Sequence, residues 1–256
     1  MKQAQRLTRI MDILSAKDNA STKYLCKILG ASESTIRRDI EFLASLRKEV
    51  RKVHGGVVLE GERQHDHEYM FELKQNVNVE QKRRIAQVAA SLIDDGDSIV
   101  LDSGTTCLQI AVELQPKKHL RIATVDLQIA LELARHEHAE SLMVGGLIRP
   151  GFYSIGESMA VQMLDNFIID KAIMAADAID VETGVTNFSI FEVSVKRKIL
   201  EIAAERILVA DHTKFGTSTF YRVASLSRFT KIITSSELDP KTADQIRETG
   251  TELILA

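Results

Sequence analysis

Two cysteines in 256 residues, Cys26 and Cys107, are too few and too far apart to make a disulfide framework or a cysteine-based zinc cluster. They read as free thiols, buried or half-buried. No apolar run approaches the roughly 20 residues of a membrane span, and the start, Met1-Lys2-Gln3, lacks the apolar core of a secretion signal. A cytoplasmic protein with no membrane partner is expected. The pairs His65-x-His67 and His136-x-His138 lie in polar stretches without a third ligand at metal spacing. Each is expected to be solvated surface, and neither a metal nor a resident cofactor is expected. What the chain does have is 45% hydrophobic residues, enough for a real core and for one small and one medium domain.

Charge is unevenly spread. Residues 1–60 hold 12 Lys+Arg against 7 Asp+Glu, while the remainder holds 21 against 29, so the formal net charge of −3 conceals a basic head and an acidic body. A polyanion would be drawn to the head and repelled by the body.

Within the head, Ile36, Ile40 and Leu43 recur at the i, i+4, i+7 spacing that buries one stripe of a helix, which turns Ser34, Arg38, Glu41 and Ser45 outward. Ser32 suits the N-cap of this helix, whose positive end favours a phosphate oxygen. An isolated Arg37-Arg38 pair is ordinarily a solvated basic face; its context argues otherwise. Upstream, Leu7, Ile10, Met11 and Leu14 form one amphipathic stripe. Ser21 opens a second helix, carrying Leu25, Ile28 and Leu29, that Gly30 can end. The tight turn Gly30-Ala31-Ser32 then leads into the basic helix, the arrangement of a helix-turn-helix that presents its recognition helix to a major groove. In Val50-Arg51-Lys52-Val53-His54-Gly55-Gly56-Val57-Val58, β-branched residues flank a Gly-Gly pair, as in a small hairpin or wing whose Arg51 and Lys52 reach the sugar-phosphate backbone. The DNA-contacting candidates are Ser32, Ser34, Thr35, Arg37 and Arg38 on the helix, with Arg51, Lys52, His54 and Gly55 on the wing.

Residues 59–79 are polar and aperiodic and read as a linker between a head at 1–58 and a body at 80–256. Glu80 opens a helix whose stripe is Ile85, Val88, Ala89 and Leu92. Beyond it, strands are expected at 98–101, 120–123, 142–144, 172–175, 207–209, 232–233 and 253–255. Helices are expected at 106–114, 127–135, 191–204 and 240–249. Strand and helix in alternation predict an α/β fold: a largely parallel sheet covered on both faces. Ligands of such sheets bind at the carboxyl ends of the strands. Those ends are Asp102-Ser103-Gly104-Thr105-Thr106, Thr124-Val125-Asp126, Gly145-Gly146, Asp177 and Asp211-His212-Thr213-Lys214. Gly104 permits close backbone approach, and Ser103, Thr105 and Thr106 set hydroxyls beside N–H groups at a helix start, which is chemistry suited to a phosphate, with Lys214 as counter-charge. Each element alone has a plainer reading as an N-cap, a turn or an exposed lysine. At successive strand ends of one domain, they favour a phosphorylated small molecule.

Over essentially its full length the sequence resembles the DeoR family of bacterial transcriptional repressors. The head carries that family's Ser-x-x-Thr-Ile-Arg-Arg-Asp-Ile as Ser32 to Ile40 and its His-Gly-Gly as His54 to Gly56. The body carries its Asp-Ser-Gly-Thr-Thr at 102–106, Gly-Gly at 145–146, Asp-Lys-Ala at 170–172 and Ala-Asp-x-x-Lys-Phe-Gly at 210–216. The resemblance implies a winged helix-turn-helix joined to an α/β effector domain similar to ribose-5-phosphate isomerase. Such a protein binds double-stranded operator DNA, represses a carbohydrate-use operon and senses a phosphorylated sugar or sugar alcohol. It also implies ligand-site positions at Ser103, Gly104, Thr105, Thr106, Asp177 and Lys214, with Glu192 and Lys196 as secondary contributors, to which the strand ends add Asp102, Asp126, Gly145 and Gly146 as effector-binding candidates. Paired half-sites make a homodimer or homotetramer the expected form. Three departures stand out: an extra residue around Leu46-Arg47-Lys48-Glu49 ahead of the wing, Val125 in place of a common asparagine, and Asp177-Ala178 in place of Asp-Gly. Two other functions compete: a sugar-phosphate isomerase with a DNA-binding appendage, using Asp177 and Lys214, and a constitutive DNA binder with a decayed pocket, suggested by Val125. A non-enzymatic regulator is the expected answer.

Overall fold

The structure, a computed structural model, describes residues 3–46, 50–59 and 71–256. It divides into two compact units, residues 1–77 and 78–256. The first contains α1 (Gln3–Lys17), β1 (Asn19–Ser21), α2 (Thr22–Leu29), α3 (Glu33–Leu46), β2 (Val50–Val53), β3 (Gly56–Leu59) and α4 (Phe71–Gln75). Leu7, Ile10, Met11 and Leu14 of α1 meet Leu25 and Leu29 of α2 and Ile36, Ile40 and Leu43 of α3 in one core, as their helical spacing requires. Ser21 caps α2 by accepting the Tyr24 N–H, and Gly30 ends it with φ of 61°, a left-handed conformation that favours glycine. Ile28 departs from expectation. It is 48% exposed, because the two residues that close the turn onto the core are Leu25 and Leu29.

Strands β1, β3 and β2 form an antiparallel sheet in that order, with Val53 opposite Gly56 across a two-residue turn. The His-Gly-Gly motif now has a local cause. Gly55 turns the chain with φ of 80°, while its carbonyl accepts the Thr22 N–H at 2.8 Å. A Cβ at Gly56 would overlap the Ala20 carbonyl oxygen, so only glycine lets β1 lie this close. Arg47, Lys48 and Glu49, where the extra residue falls, and residues 60–70 of the expected linker, including His65 and His67, lie outside the described residues. The linker's far end holds α4, anchored by the buried Phe71.

The second unit begins with α5 (Val79–Ser91), β4 (Ser98–Leu101), α6 (Thr105–Glu113), β5 (Leu120–Thr124), α7 (Leu127–Leu133), β6 (Ala139–Met143), β7 (Leu147–Ile148) and β8 (Ile155–Gly156). It continues through α8 (Glu157–Leu164), β9 (Ile169–Ala175), β10 (Ala178–Asp180), β11 (Gly184–Asn187), α9 (Ile190–Ile202) and β12 (Ala203–Ala210). It closes with β13 (Tyr221–Ala224), β14 (Lys231–Thr234), α10 (Pro240–Glu248) and β15 (Glu252–Leu255). Seven strands make one parallel sheet in the order β15-β14-β12-β9-β4-β5-β6. Alternate residues of each strand feed opposite faces. Val100, Ala172, Met174 and Leu208 join α8, α9 and α10 in one apolar cluster. Ile99, Leu101, Ile173 and Ile207 join α5, α6 and α7 in the other. Small antiparallel sheets, β10-β11-β13 and β7-β8, lie outside the main one. No helix among the described residues is long and apolar enough to cross a membrane.

The chain enters this sheet at β4, runs outward through β5 to β6, then returns to β9 on the other side of β4 and runs outward again. Neighbours β4 and β9 therefore lead their connections in opposite directions. Their carboxyl ends flank the crevice where open α/β sheets bind ligands.

Candidate functional site

In the head, the Ser32 hydroxyl accepts the Thr35 N–H at 3.3 Å and hydrogen-bonds the hydroxyls of Ser34 at 3.0 Å and Thr35 at 2.8 Å. This exposed hydroxyl cluster sits at the amino end of α3. One turn on, Arg37 and Arg38 are exposed. Arg37 pairs with Glu33 at 2.6 Å, an exposed contact of small worth. Arg38 forms no hydrogen bond or ion pair among the described residues. On the wing, Arg51, Lys52, His54 and Gly55 are exposed, and Lys52 reaches back to Glu41 of α3 at 2.5 Å. That bond holds the Glu41 carboxyl below its ordinary range. Glu41 thus links the wing to the basic helix.

Between Arg38 and Ile40, the sequence hides Asp39, 1% exposed. It accepts Arg6 Nε at 2.7 Å, Arg6 Nη2 at 3.1 Å and Gln3 Nε2 at 3.1 Å. This ion pair ties α1 to α3 and raises the Arg6 guanidinium further.

In the body, five neighbouring strands, β12-β9-β4-β5-β6, deliver the expected residues to one edge. Several of these residues form a closed polar circuit. Asp126 accepts the Gly104 N–H at 3.2 Å and also caps α7 through the N–H groups of Gln128 and Ile129. Beside it, Ser154 forms a β-bridge to Asp126 and donates its hydroxyl to Glu192 at 2.6 Å. Glu192 lies one helical turn before Lys196 on α9. Lys196, 2% exposed, pairs with Asp102 and donates to the Ala175 carbonyl at 3.1 Å, while Asp102 accepts the Ala175 N–H at 3.1 Å. Asp102 precedes the Ser103-Gly104 turn, which closes the ring. Burial opposes the Lys196 charge, yet Asp102 and Glu192 outweigh it and hold the ammonium ionised above its ordinary range.

Gly104, with φ of 130°, begins α6 without any side-chain cap, which leaves first-turn N–H groups without an intrahelical partner next to Thr105 and Thr106. Across the sheet, Asp211 accepts Asn78 Nδ2 at 3.0 Å and both the N–H and hydroxyl of Thr213. Burial pushes its carboxyl up, but Lys214, the Thr213 bonds and Lys82 hold it below the carboxylate range. Asp177 accepts the Phe188 N–H at 3.3 Å. Gly145 and Gly146 lie at the same edge, and packing demands glycine at Gly146 alone: a Cβ there would stand 2.8 Å from the Gly156 carbonyl oxygen.

Val125 is buried in the apolar cluster that holds Val100 and Val144. One expectation needs correction. His136 is 8% exposed rather than solvated, and burial lowers its pKa. The sequence missed Arg149, Ser154, Asn187, Asn78 and Lys82. Arg149 donates to Glu192 at 3.1 Å and lies over the Phe152 ring at 3.8 Å.

Burial lifts the Asp126 carboxyl to about 6, against the pull of its N–H donors. Its unfolded value lies near 3.9. The native state therefore binds the extra proton in between, and this contribution to stability is present below about pH 4 and lost as pH rises through about 6. Relative to Asp126→Asn, the wild-type chain is expected to lose about 2 kcal/mol between pH 4 and pH 7, read by denaturant titration at each pH. A constant difference across that range would show that Asp126 is ionised throughout.

An exposed basic recognition helix with a wing, carried on a chain with a parallel α/β body, defines a DNA-binding transcription regulator. The chain belongs to the DeoR family: residues 6–63 match the DeoR-like helix-turn-helix domain and residues 77–236 the DeoR C terminal sensor domain. It is 36% identical to a transcriptional regulator named for the sgc region in Escherichia coli (strain K12), over 98% of this chain and 95% of that one. It is 33% identical to the glycerol-3-phosphate regulon repressor of Haemophilus influenzae, over 100% and 98%. With family and relatives alike being regulators, the chain is not an enzyme. Ribose 5-phosphate isomerase from Plasmodium falciparum superposes with a TM-score of 0.40 at 13% identity, over 53% of this chain and 52% of that one, too slight a likeness to carry an argument.

Proposed function

We propose that this chain is a cytoplasmic repressor of a carbohydrate-use operon, with residues 1–58 as operator-binding head and residues 80–256 as sensor of a phosphorylated sugar or sugar alcohol. The observation that carries this reading is the switch-point crevice, where an uncapped helix start with three hydroxyls stands beside a buried Lys196–Asp102 pair. Relatives named as repressors of the glycerol-3-phosphate regulon and of an aga operon support the ligand class. The phosphate rests on the N–H groups and hydroxyls of Ser103, Thr105 and Thr106, with Gly104 clearing the approach and Lys214 neutralising charge. Asp102, Glu192 and Lys196 shape the floor. Asp126, Asp177, Gly145 and Gly146 form the rim. In the head, Arg38 and Arg37 read base edges, Ser32, Ser34 and Thr35 hold a phosphate at the helix start, and Arg51, Lys52, His54 and Gly55 follow the backbone. The chain works as a homodimer or homotetramer on paired half-sites. The exposed edge strand β6, with Leu142 and Met143 beside Leu147 and Ile148, supports such assembly.

The test uses the duplex that the wild-type chain selects from a random pool. Arg38→Ala is expected to weaken binding to that duplex by about ten- to a hundredfold while binding to random duplex falls far less, since a bidentate guanine contact discriminates by about 1–3 kcal/mol. Equal losses on both would reduce Arg38 to a phosphate contact. An effector present at about a hundred times its Kd stabilises the chain by about 2.7 kcal/mol. Silence across a panel of sugar phosphates would remove the ligand half of the proposal.

A further inference from the structure

Asn187, at the end of β11, is 1% exposed, yet its Oδ1 has no hydrogen-bond partner among the described residues. The orientation of its amide is chemically fixed. Its other terminus bonds Glu192 Oε2 at 2.9 Å, and because a carboxylate accepts, that terminus is the Nδ2 donor. Glu192 is already committed on its other oxygen to Ser154 at 2.6 Å and Arg149 at 3.1 Å. Leaving a buried amide acceptor unpaired is costly, and such a group calls for a donor.

The surroundings say which donor. Phe188, the next residue, donates its N–H to Asp177 at the end of β9, which places Asn187 at the ligand edge of the sheet. Glu192 connects it through Ser154 to Asp126 and along α9 to Lys196 and Asp102. A phosphate dianion offers only acceptors and would meet the Glu192 carboxylate here, so it belongs on Ser103 to Thr106 and not beside Asn187. A hydroxyl satisfies both demands, since it donates to Asn187 Oδ1 without charge.

We propose that Asn187 Oδ1 is the acceptor for a hydroxyl on the effector's carbon chain, held in register by Glu192, Arg149 and Ser154, so that this end of the crevice selects among sugar phosphates by hydroxyl position. This rests on the effector reading above and deepens it: the effector is a phosphate ester with a chain hydroxyl placed away from the ester, and it binds in one orientation.

The full-length chain is titrated calorimetrically with inorganic phosphate, ribose 5-phosphate, fructose 6-phosphate, glucose 6-phosphate and glycerol 3-phosphate. The tightest binder is then compared with each of its monodeoxy forms. Wild type is expected to lose about tenfold or more in affinity for one particular deoxy form. Asn187→Ala and Asn187→Leu are expected to lose about as much for the parent compound, to bind that deoxy form as wild type does, and to keep their affinity for inorganic phosphate. Wild-type affinities within about twofold across all the deoxy forms would overturn the proposal even if neither variant folds. So would a variant that weakens parent, deoxy forms and inorganic phosphate alike, which would make Asn187 a structural residue. Failure of every phosphate, inorganic included, to bind wild type would instead remove the effector reading itself and this proposal with it.

Discussion

Replacing Lys196 with methionine is expected to destabilise the body by about 3–5 kcal/mol, because it strands Asp102 as an unpaired charge in the protein interior. Both side chains are nearly inaccessible, and the ammonium also satisfies the Ala175 carbonyl. With the lysine gone, burial and the nearby Glu192 both push the Asp102 carboxyl upward, so the variant should recover stability as pH falls and the carboxyl takes up a proton. A second change separates folding from sensing. Adding Asp102→Asn removes the stranded charge while keeping an acceptor for the Ala175 N–H, and is expected to return at least about 2 kcal/mol of the loss. It does not restore the response to a sugar phosphate, since the cation that balances the crevice is still missing. Chemical denaturation of wild type, single and double variants reads the first effect, and thermal shift with the effector reads the second. A single variant as stable as wild type would mean that the pair is not a buried charge pair. A double variant that responds fully to effector would leave Lys196 with a structural role alone.

Much of this arrangement was legible because parallel strands buried on both faces write themselves as short apolar runs, and their ends are marked by a change to Asp, Gly, Ser and Thr. Asp102, Asp126 and Asp211 were found in this way, each on the residue after or near a strand end. Other features left no local trace. Strand β6 begins at Ala139, three residues before its expected start, because its register against β5 is set by backbone pairing of Leu120 with Ala139, and the polar Glu140 and Ser141 hide that start. The sheet β10-β11-β13 joins Val185 to Ala224 across a long separation, and nothing in either segment announces the other. Ser154 and Arg149 are brought to Glu192 by such non-local crossings, while Asn187 reaches it from the end of β11, just ahead of α9. Single polar residues in loops and short strands carry no period, so their convergence is visible in three dimensions alone. Asp39 was hidden differently: it lies beside Ile40 on the flank of the apolar stripe, where helical spacing cannot tell a buried carboxylate from an exposed one.

Asp39→Ala should then abolish operator binding without touching DNA. The substitution removes the carboxylate that Arg6 and Gln3 both hold, and breaking a buried pair from one side is worth about 3–5 kcal/mol. A small head has little to spare, since whole domains are stable by about 5–15 kcal/mol. Helix α1 supplies Leu7, Ile10, Met11 and Leu14 to the same core that positions α3, so loosening α1 frees the recognition helix as well. Adjacent residues thus fail in opposite ways. Arg38→Ala leaves the head folded and lowers discrimination between duplexes, whereas Asp39→Ala lowers binding to every duplex together and raises amide exchange along α1 and α3. Asp39→Asn, which keeps an acceptor for Arg6, should fall between wild type and alanine. Hydrogen exchange and gel shifts on the same samples measure both effects. Should Asp39→Ala keep wild-type protection in α1 and α3 while losing the selected duplex alone, the carboxylate would have to act on DNA recognition directly, and the strut from α1 to α3 would be incidental.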